Sequence, residues 1–274
     1  MTSLKYDMKT DISHFFLNIG FELKKHAKRK RILLVVALAI ALPLLFYAIP
    51  PLLGSDYADT ANSFASTNLG FVSLLIVISG ALFAGDAVSS EFEKKTGLTL
   101  YSTPQRRTSI NVGKFVGALL ATWLVISVYY FVTMLEIAQI FGVGAVSTEF
   151  ATSFLLALAY AASVVAIIFL FSTLLKRTIT STLTGFFLLM LVLPIIAGVL
   201  QLADVEPWFL VTYSSELVTD VLGASAGGFA PSGPAGQLGV SFSPDFYVGV
   251  VMMVAYALSF FLIGIGLANR REME

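Results

Sequence analysis

Apolar residues in this chain neither alternate nor recur only every third or fourth position. They run on in long blocks, separated by short polar stretches. A bilayer core about 30 Å thick takes about 20 apolar residues at 1.5 Å each. Six blocks meet that length: 32–53, 69–88, 112–138, 151–175, 180–202 and 246–268. The pattern predicts an all-α membrane protein with six transmembrane helices. Pro43 and Pro194 fall inside blocks, where each removes a backbone hydrogen bond, so kinks are expected there.

Two shorter patterns lie outside the blocks. In residues 1–31, Ile12, Phe15, Phe16, Ile19 and Leu23 recur at helical spacing, with Asp11, Asn18, Glu22 and Lys25 between them. This predicts an amphipathic interfacial helix, an elbow preceding a transmembrane domain over 32–274. Its Lys24–Arg31 cations would favour anionic membrane lipids. Between the fifth and sixth blocks, 208–222 is moderately apolar and carries Glu216 and Asp220 one turn apart. Like charges on one helix face imply that the face is wet. One or two short re-entrant helices dipping into the outer leaflet are expected, followed by a Gly-, Ala-, Ser- and Pro-rich loop over 223–244.

Charge decides the orientation. Lysine plus arginine equals aspartate plus glutamate, 17 against 17, so the total is silent, and the distribution is not. Every cation precedes the first block, or follows the second, fourth or sixth. The opposite side carries only acids, among them Asp56, Asp59, Glu136, Glu149, Asp204, Glu206 and Asp245. Positive loops stay inside, so both termini are expected in the cytoplasm. A cleavable leader is not expected, because about 30 polar residues precede the first block.

Several chemistries lack their residues. The chain has no cysteine, which excludes disulfides and thiolate sites. Gly223-Ala224-Ser225-Ala226-Gly227 matches the nucleophile-elbow pattern, but both histidines, His14 and His26, fall on the other side of the membrane. Gly113-Lys114 lacks the rest of a phosphate-binding loop. Met252-Met253 point about 100° apart on a helix and read as packing. Asp86 lies near the cytosolic end of its block and Glu136 near the outer end of its own, neither at mid-membrane, which speaks against an ion pathway. Asp86 is expected to reach the cytosolic interface or to pair with a cation of the loop that follows. Gly113, Gly117 and Ala121 form a small-residue ridge that permits close helix packing against another span or a second copy of the chain.

The loop over 89–111 carries the most specific signal. It reads Glu91-Phe92-Glu93-Lys94-Lys95-Thr96, then Leu98, Leu100 and Tyr101, then Ser102-Thr103-Pro104 and Arg107, and closes on Gly113-Lys114. An apolar patch ringed by charges suits a docking surface, although the same residues could fold back on the bundle. The segment resembles the cytosolic signature of ATP-binding-cassette (ABC) type-2 permeases: Glu-x-Glu-x-Gly-Thr, a leucine-rich stretch, Ser-x-Pro-x-x-Arg and Gly-Lys at the third span. The family's glycine before the threonine is Lys95 here, and a glycine follows as Gly97.

The resemblance implies a homodimeric permease of the prokaryotic plasma membrane with two copies of a separate cytosolic ABC ATPase. The pair exports a substrate from the cytoplasm or inner leaflet. ATP and Mg belong to the ATPase, no cofactor is held by this chain, and no nucleic acid takes part. Glu91, Glu93, Thr96, Leu98, Leu100, Tyr101, Pro104 and Arg107 would form a coupling helix between spans two and three. A membrane scaffold or assembly factor without a transported substrate would share the topology.

Overall fold

The computed structural model describes residues 8–54, 56–95, 105–223 and 242–270, with side chains from residue 13 onward. Six helical stretches are long and apolar enough to cross a membrane: Arg31–Leu53, Ala61–Glu93, Arg107–Phe141, Thr148–Leu174, Thr178–Leu202 and Phe246–Arg270. They are called the first to sixth spans below. Among the described residues there is no strand.

The second, third and fourth spans form the core, and the first, fifth and sixth are mostly exposed around it. Sequence makes this division possible. The first span is apolar on every side and buries only Val35, Ala39 and Pro43, so the rest of its surface suits lipid. Its helix runs through Pro43 unbroken and ends on Gly54, whose φ of 67° lets its N–H reach back to Pro50 and Pro51. Pro194 is handled differently. Just before it, residues Leu188–Val192 form a π-helical turn, whose wider bore makes room where the proline ring would meet the carbonyl of Met190.

The second span is three helices in line, Ala61–Leu69, Val72–Ala84 and Ser89–Glu93, with Gly85–Val88 as turns. That break sits against the fourth span, where the Ser172 hydroxyl accepts from the N–H groups of Val88 and Ser89 at 3.0 and 3.1 Å. Two donors without a helical partner are thereby satisfied. At the same break the fifth span comes close, and a Cβ on Gly85 would lie 2.5 Å from Thr182 Oγ1. The fourth and sixth spans meet through Phe169, which packs on Phe115 and on the flat surface of Gly264, while the Phe115 ring is tilted against that of Phe261, centroids 4.5 Å apart.

The N-terminal helix, Met8–Lys28, lies along the start of the third span. The polar positions of the amphipathic pattern do not all face water. Asn18 and Glu22 are buried together with Ile19 and His26, Phe15 and Leu23 are half-buried, and Phe16, Leu17 and Phe21 are exposed. The third span explains the burial of the polar residues. A Cβ on Gly113 would come within 2.6 Å of Asn18 Cβ, and one on Gly117 within 2.7 Å of Glu22 Cβ. Gly113 and Gly117 of the small-residue ridge therefore receive the N-terminal helix, where another span or a second copy of the chain was expected.

Between the fifth and sixth spans two short helices, Val211–Ser214 and Leu217–Asp220, fold back onto the fourth and sixth spans. The Ser153 hydroxyl bonds the carbonyl of Val218, and the Tyr256 hydroxyl donates to that of Phe209 at 3.0 Å. The wet face expected for Glu216 and Asp220 is only half present. Asp220 is exposed, but burial, with the Asp220 charge adding to it, pushes the Glu216 carboxyl up to about 8. Residues 224–241, including Ser225 of the elbow-like pattern, lie outside the described residues.

Candidate functional site

Polar side chains collect at one end of the bundle, the end that carries the cations. The second span begins this site. Asp86, in its turn segment, is fully buried, and a buried carboxylate is tolerated only when it is paired. Its partners all precede the first span's apolar run. Arg29 Nη1 and Arg31 Nη1 donate to Oδ2 at 2.6 and 2.8 Å, and Lys25 Nζ stands 3.7 Å from Oδ1. The expected partner in the following loop is thus replaced by three residues 55 to 61 positions upstream (the separations to Arg31, Arg29 and Lys25). Arg31 also donates to the carbonyl of Leu82 at 2.9 Å, which ties the entry of the first span to the second.

His26 fills the space beside this cluster. It is fully buried, its ring lies 5.0 Å from that of Phe83, and neither nitrogen has a hydrogen-bond partner among the described residues. Burial, reinforced by the neighbouring Lys25 ammonium, lowers its pKa from 6.5 to about 4, so it is neutral near pH 7. Glu22 links the cluster back to the third span's ridge: its Oε2 accepts from Lys25 Nζ at 2.9 Å, and its Cβ is the atom nearest Gly117.

Three residues of the predicted coupling element are among the described residues, Glu91, Glu93 and Arg107. Glu91 forms an ion pair with the buried Lys114, two turns into the third span. Glu93 Oε2 accepts the Thr178 N–H at 2.9 Å, which caps the start of the fifth span with a negative charge. Arg107 is exposed and opens the third span. Asn18 Nδ2 donates to Gln105 Oε1 at 3.2 Å, so the N-terminal helix also touches the far side of the loop. Thr96, Leu98, Leu100, Tyr101 and Pro104, with the coupling helix itself, lie outside the described residues. Both flanks of that loop are nonetheless held, one by Glu91 and Glu93, the other by Gln105 and Lys114.

Lys95 bears on the one departure from the permease signature. Its φ is 54°, in the left-handed region that glycine enters freely and other residues enter at a cost. The turn that a glycine would make at this position is made here by a lysine.

His26 did not stand out in the pattern, being one residue of a basic segment, and Lys114 stood out only within the Gly-Lys that closes the loop signature, not as the partner of Glu91. Asp86 did carry a signal, a carboxylate next to an apolar block, but its partners could be named only once the N-terminal helix was placed. At the opposite end a second buried polar cluster assembles, although the sequence offered little for one. Asn68 Nδ2 donates to Glu136 Oε2 at 2.8 Å, Tyr129 to the Asn68 carbonyl at 2.6 Å, and Thr133 to Asn68 Oδ1 at 3.3 Å. Among the described residues no group of three or more histidines and carboxylates could hold a metal ion.

A family profile described as ABC-2 family transporter protein matches residues 19–265, nearly the full length. A comparison with curated proteins gave no match. The matched region takes in the buried ion cluster, the loop signature and all but the last few residues of the sixth span. The chain therefore belongs to the ABC-2 transporter family, as a multi-pass membrane permease component that associates with an ABC ATPase.

Proposed function

We propose that this chain is the transmembrane subunit of an ABC exporter and that its basic end receives force from a cytosolic ATPase. The observation that carries this reading is the clamping of the loop over 96–104. Glu91 on Lys114 and Glu93 on Thr178 join the loop's entry to the third and fifth spans. A push on the loop would therefore move three spans together rather than flex a free tether. Glu91, Glu93, Thr96, Leu98, Leu100, Tyr101, Pro104 and Arg107 form the coupling element in this reading.

The one-sided cations support an orientation with both termini in the cytoplasm, and the resemblance to type-2 permeases supports a prokaryotic plasma membrane. The exposed apolar faces of the first, fifth and sixth spans leave room for a second copy of the chain. ATP and Mg sit on the ATPase, two copies of it per dimer, and cargo leaves the cytoplasm or the inner leaflet.

The test is co-expression with the ATPase. Glu93→Lys and Leu100→Asp should leave membrane insertion intact and abolish ATP-dependent transport and the permease's effect on ATP turnover. Full activity in both variants would exclude the coupling role. If transport is absent throughout, yet a complex still assembles on the chain, the scaffold reading takes its place.

A further inference from the structure

The first, second and fifth spans enclose a pocket of about 220 Å³ at the basic end, lined by Arg31, Leu82, Thr178, Ile179, Thr182 and Leu183. We propose that it holds the head and upper chain of an anionic phospholipid from the leaflet at that end.

The lining is ordered by depth. Arg31 and Thr178 are the first residues of their spans, while Thr182, Leu183 and Leu82 lie one turn or more farther into the bundle. The exposed Phe16, Leu17 and Phe21 of the N-terminal helix suit the boundary between headgroups and acyl chains, and that helix leads directly into Arg31. Arg31 and the Thr178 hydroxyl, with Ile179 beside them, therefore stand at headgroup level, and Thr182, Leu183 and Leu82 stand at the level of the upper acyl chains. The outer wall is open to the side: Ile179 is 70% and Leu183 46% exposed. An occupant can enter from the bilayer without crossing the protein.

The charge favours an anion. Arg31 is only partly used by Asp86 and Leu82, because both of its described hydrogen bonds leave from Nη1. Among the described residues no hydrogen bond is made from the edge formed by Nε and Nη2, and a guanidinium edge matches two phosphate oxygens. Around it, Lys24–Arg31 contributes Lys24, Lys25, Lys28, Arg29, Lys30 and Arg31 against Glu22 and Asp86. Glu91 and Glu93 are further acids at this end, but Glu91 is paired with Lys114 and the Glu93 carboxylate is engaged at the start of the fifth span. A zwitterionic head would bring its own cation into this field, whereas an anionic one would not.

Lipid binding can be read on the purified full-length chain without any ATPase, so its outcome is separate from that of the coupling test. Native mass spectrometry in detergent would titrate phosphatidylglycerol, phosphatidylcholine of the same acyl length, and inorganic phosphate alone. Phosphatidylglycerol should bind at least about tenfold tighter than phosphatidylcholine, the scale of one charge-assisted contact, and phosphate alone should not bind. Ile179→Glu should remove the preference and Ile179→Lys should keep it, since both alter the same exposed position and differ in sign. Arg31→Gln should also remove it, and if that variant does not fold, the pair at 179 still decides. Equal binding of the two lipids, binding of free phosphate alone, or an undiminished preference in Ile179→Glu would each overturn the proposal. So would an equal loss in the two variants at position 179.

Discussion

At the scale of single residues, two side chains occupy states their types avoid. His26 is held neutral in a buried site facing Lys25, Glu22, Asp86, Arg31 and Phe83. Its folded pKa lies below the unfolded value, so the unfolded chain takes up its proton first as pH falls. The contribution to stability is complete above about pH 6.5 and is lost as pH drops toward 4. At pH 5 the loss should be on the order of 2 kcal/mol. His26→Leu should flatten this part of the profile, measured as Tm in detergent at pH 7 and pH 5. Lys95 is the second case, with its positive φ. Lys95→Gly should raise stability by up to about 1 kcal/mol, the left-handed strain relieved less the added freedom of the unfolded chain. A fall in Tm would show that the lysine side chain supplies more than its backbone costs. Glu91, Glu93 and the Gly113–Gly117–Ala121 ridge were legible as residues of interest from sequence motifs. His26 acquires meaning only from the neighbours that bury it, and Lys114, legible as part of the Gly-Lys motif, gains its partner Glu91 only in the fold.

At the scale of elements, the N-terminal helix and the third span form one unit. The helix's length and amphipathic character could be read from the spacing of Phe15, Phe16, Ile19 and Leu23, but its rotation could not. Period alone says which residues share a face. It does not say that Asn18 and Glu22 would find a glycine ridge to lie on. Gly117→Leu should therefore lift the helix from its seat and cost about 1–3 kcal/mol, as overpacking does. Gly20 sits on the same helix with nothing within 4 Å of an added Cβ. Gly20→Ala should instead stabilise by about 0.5–1 kcal/mol through helix propensity. Thermal melts of the two variants make the comparison, and similar losses in both would exclude the ridge as the specific seat. The π turn before Pro194 shows the same limit. A proline inside an apolar block announces a disturbance, while the form that disturbance takes depends on packing.

At the scale of the whole molecule, the polar groups are divided between two ends. The basic end gathers Asp86, Glu91 and Glu93 with the cations that hold them, and the acidic end carries Glu136 in a network of neutral donors. The absence of cysteine makes the orientation directly measurable. Lys24→Cys at one end and Asp245→Cys at the other, each a single thiol, should react with a membrane-impermeant maleimide from opposite sides. In intact cells Asp245→Cys should label and Lys24→Cys should not, until the membrane is opened. Labelling of both, or the reverse order, would overturn the proposed topology.

The sequence by itself determined the number of spans, their approximate limits and the family, because each depends on local features. A bilayer demands a continuous apolar length, and a loop motif is read in consecutive residues. Only the tertiary structure decided that Asp86 belongs to Arg29 and Arg31, that the ridge receives the N-terminal helix, and that Glu136 meets Asn68. Those pairings join residues far apart in the chain. Their energy comes from shared burial, which no segment carries until the others have closed around it.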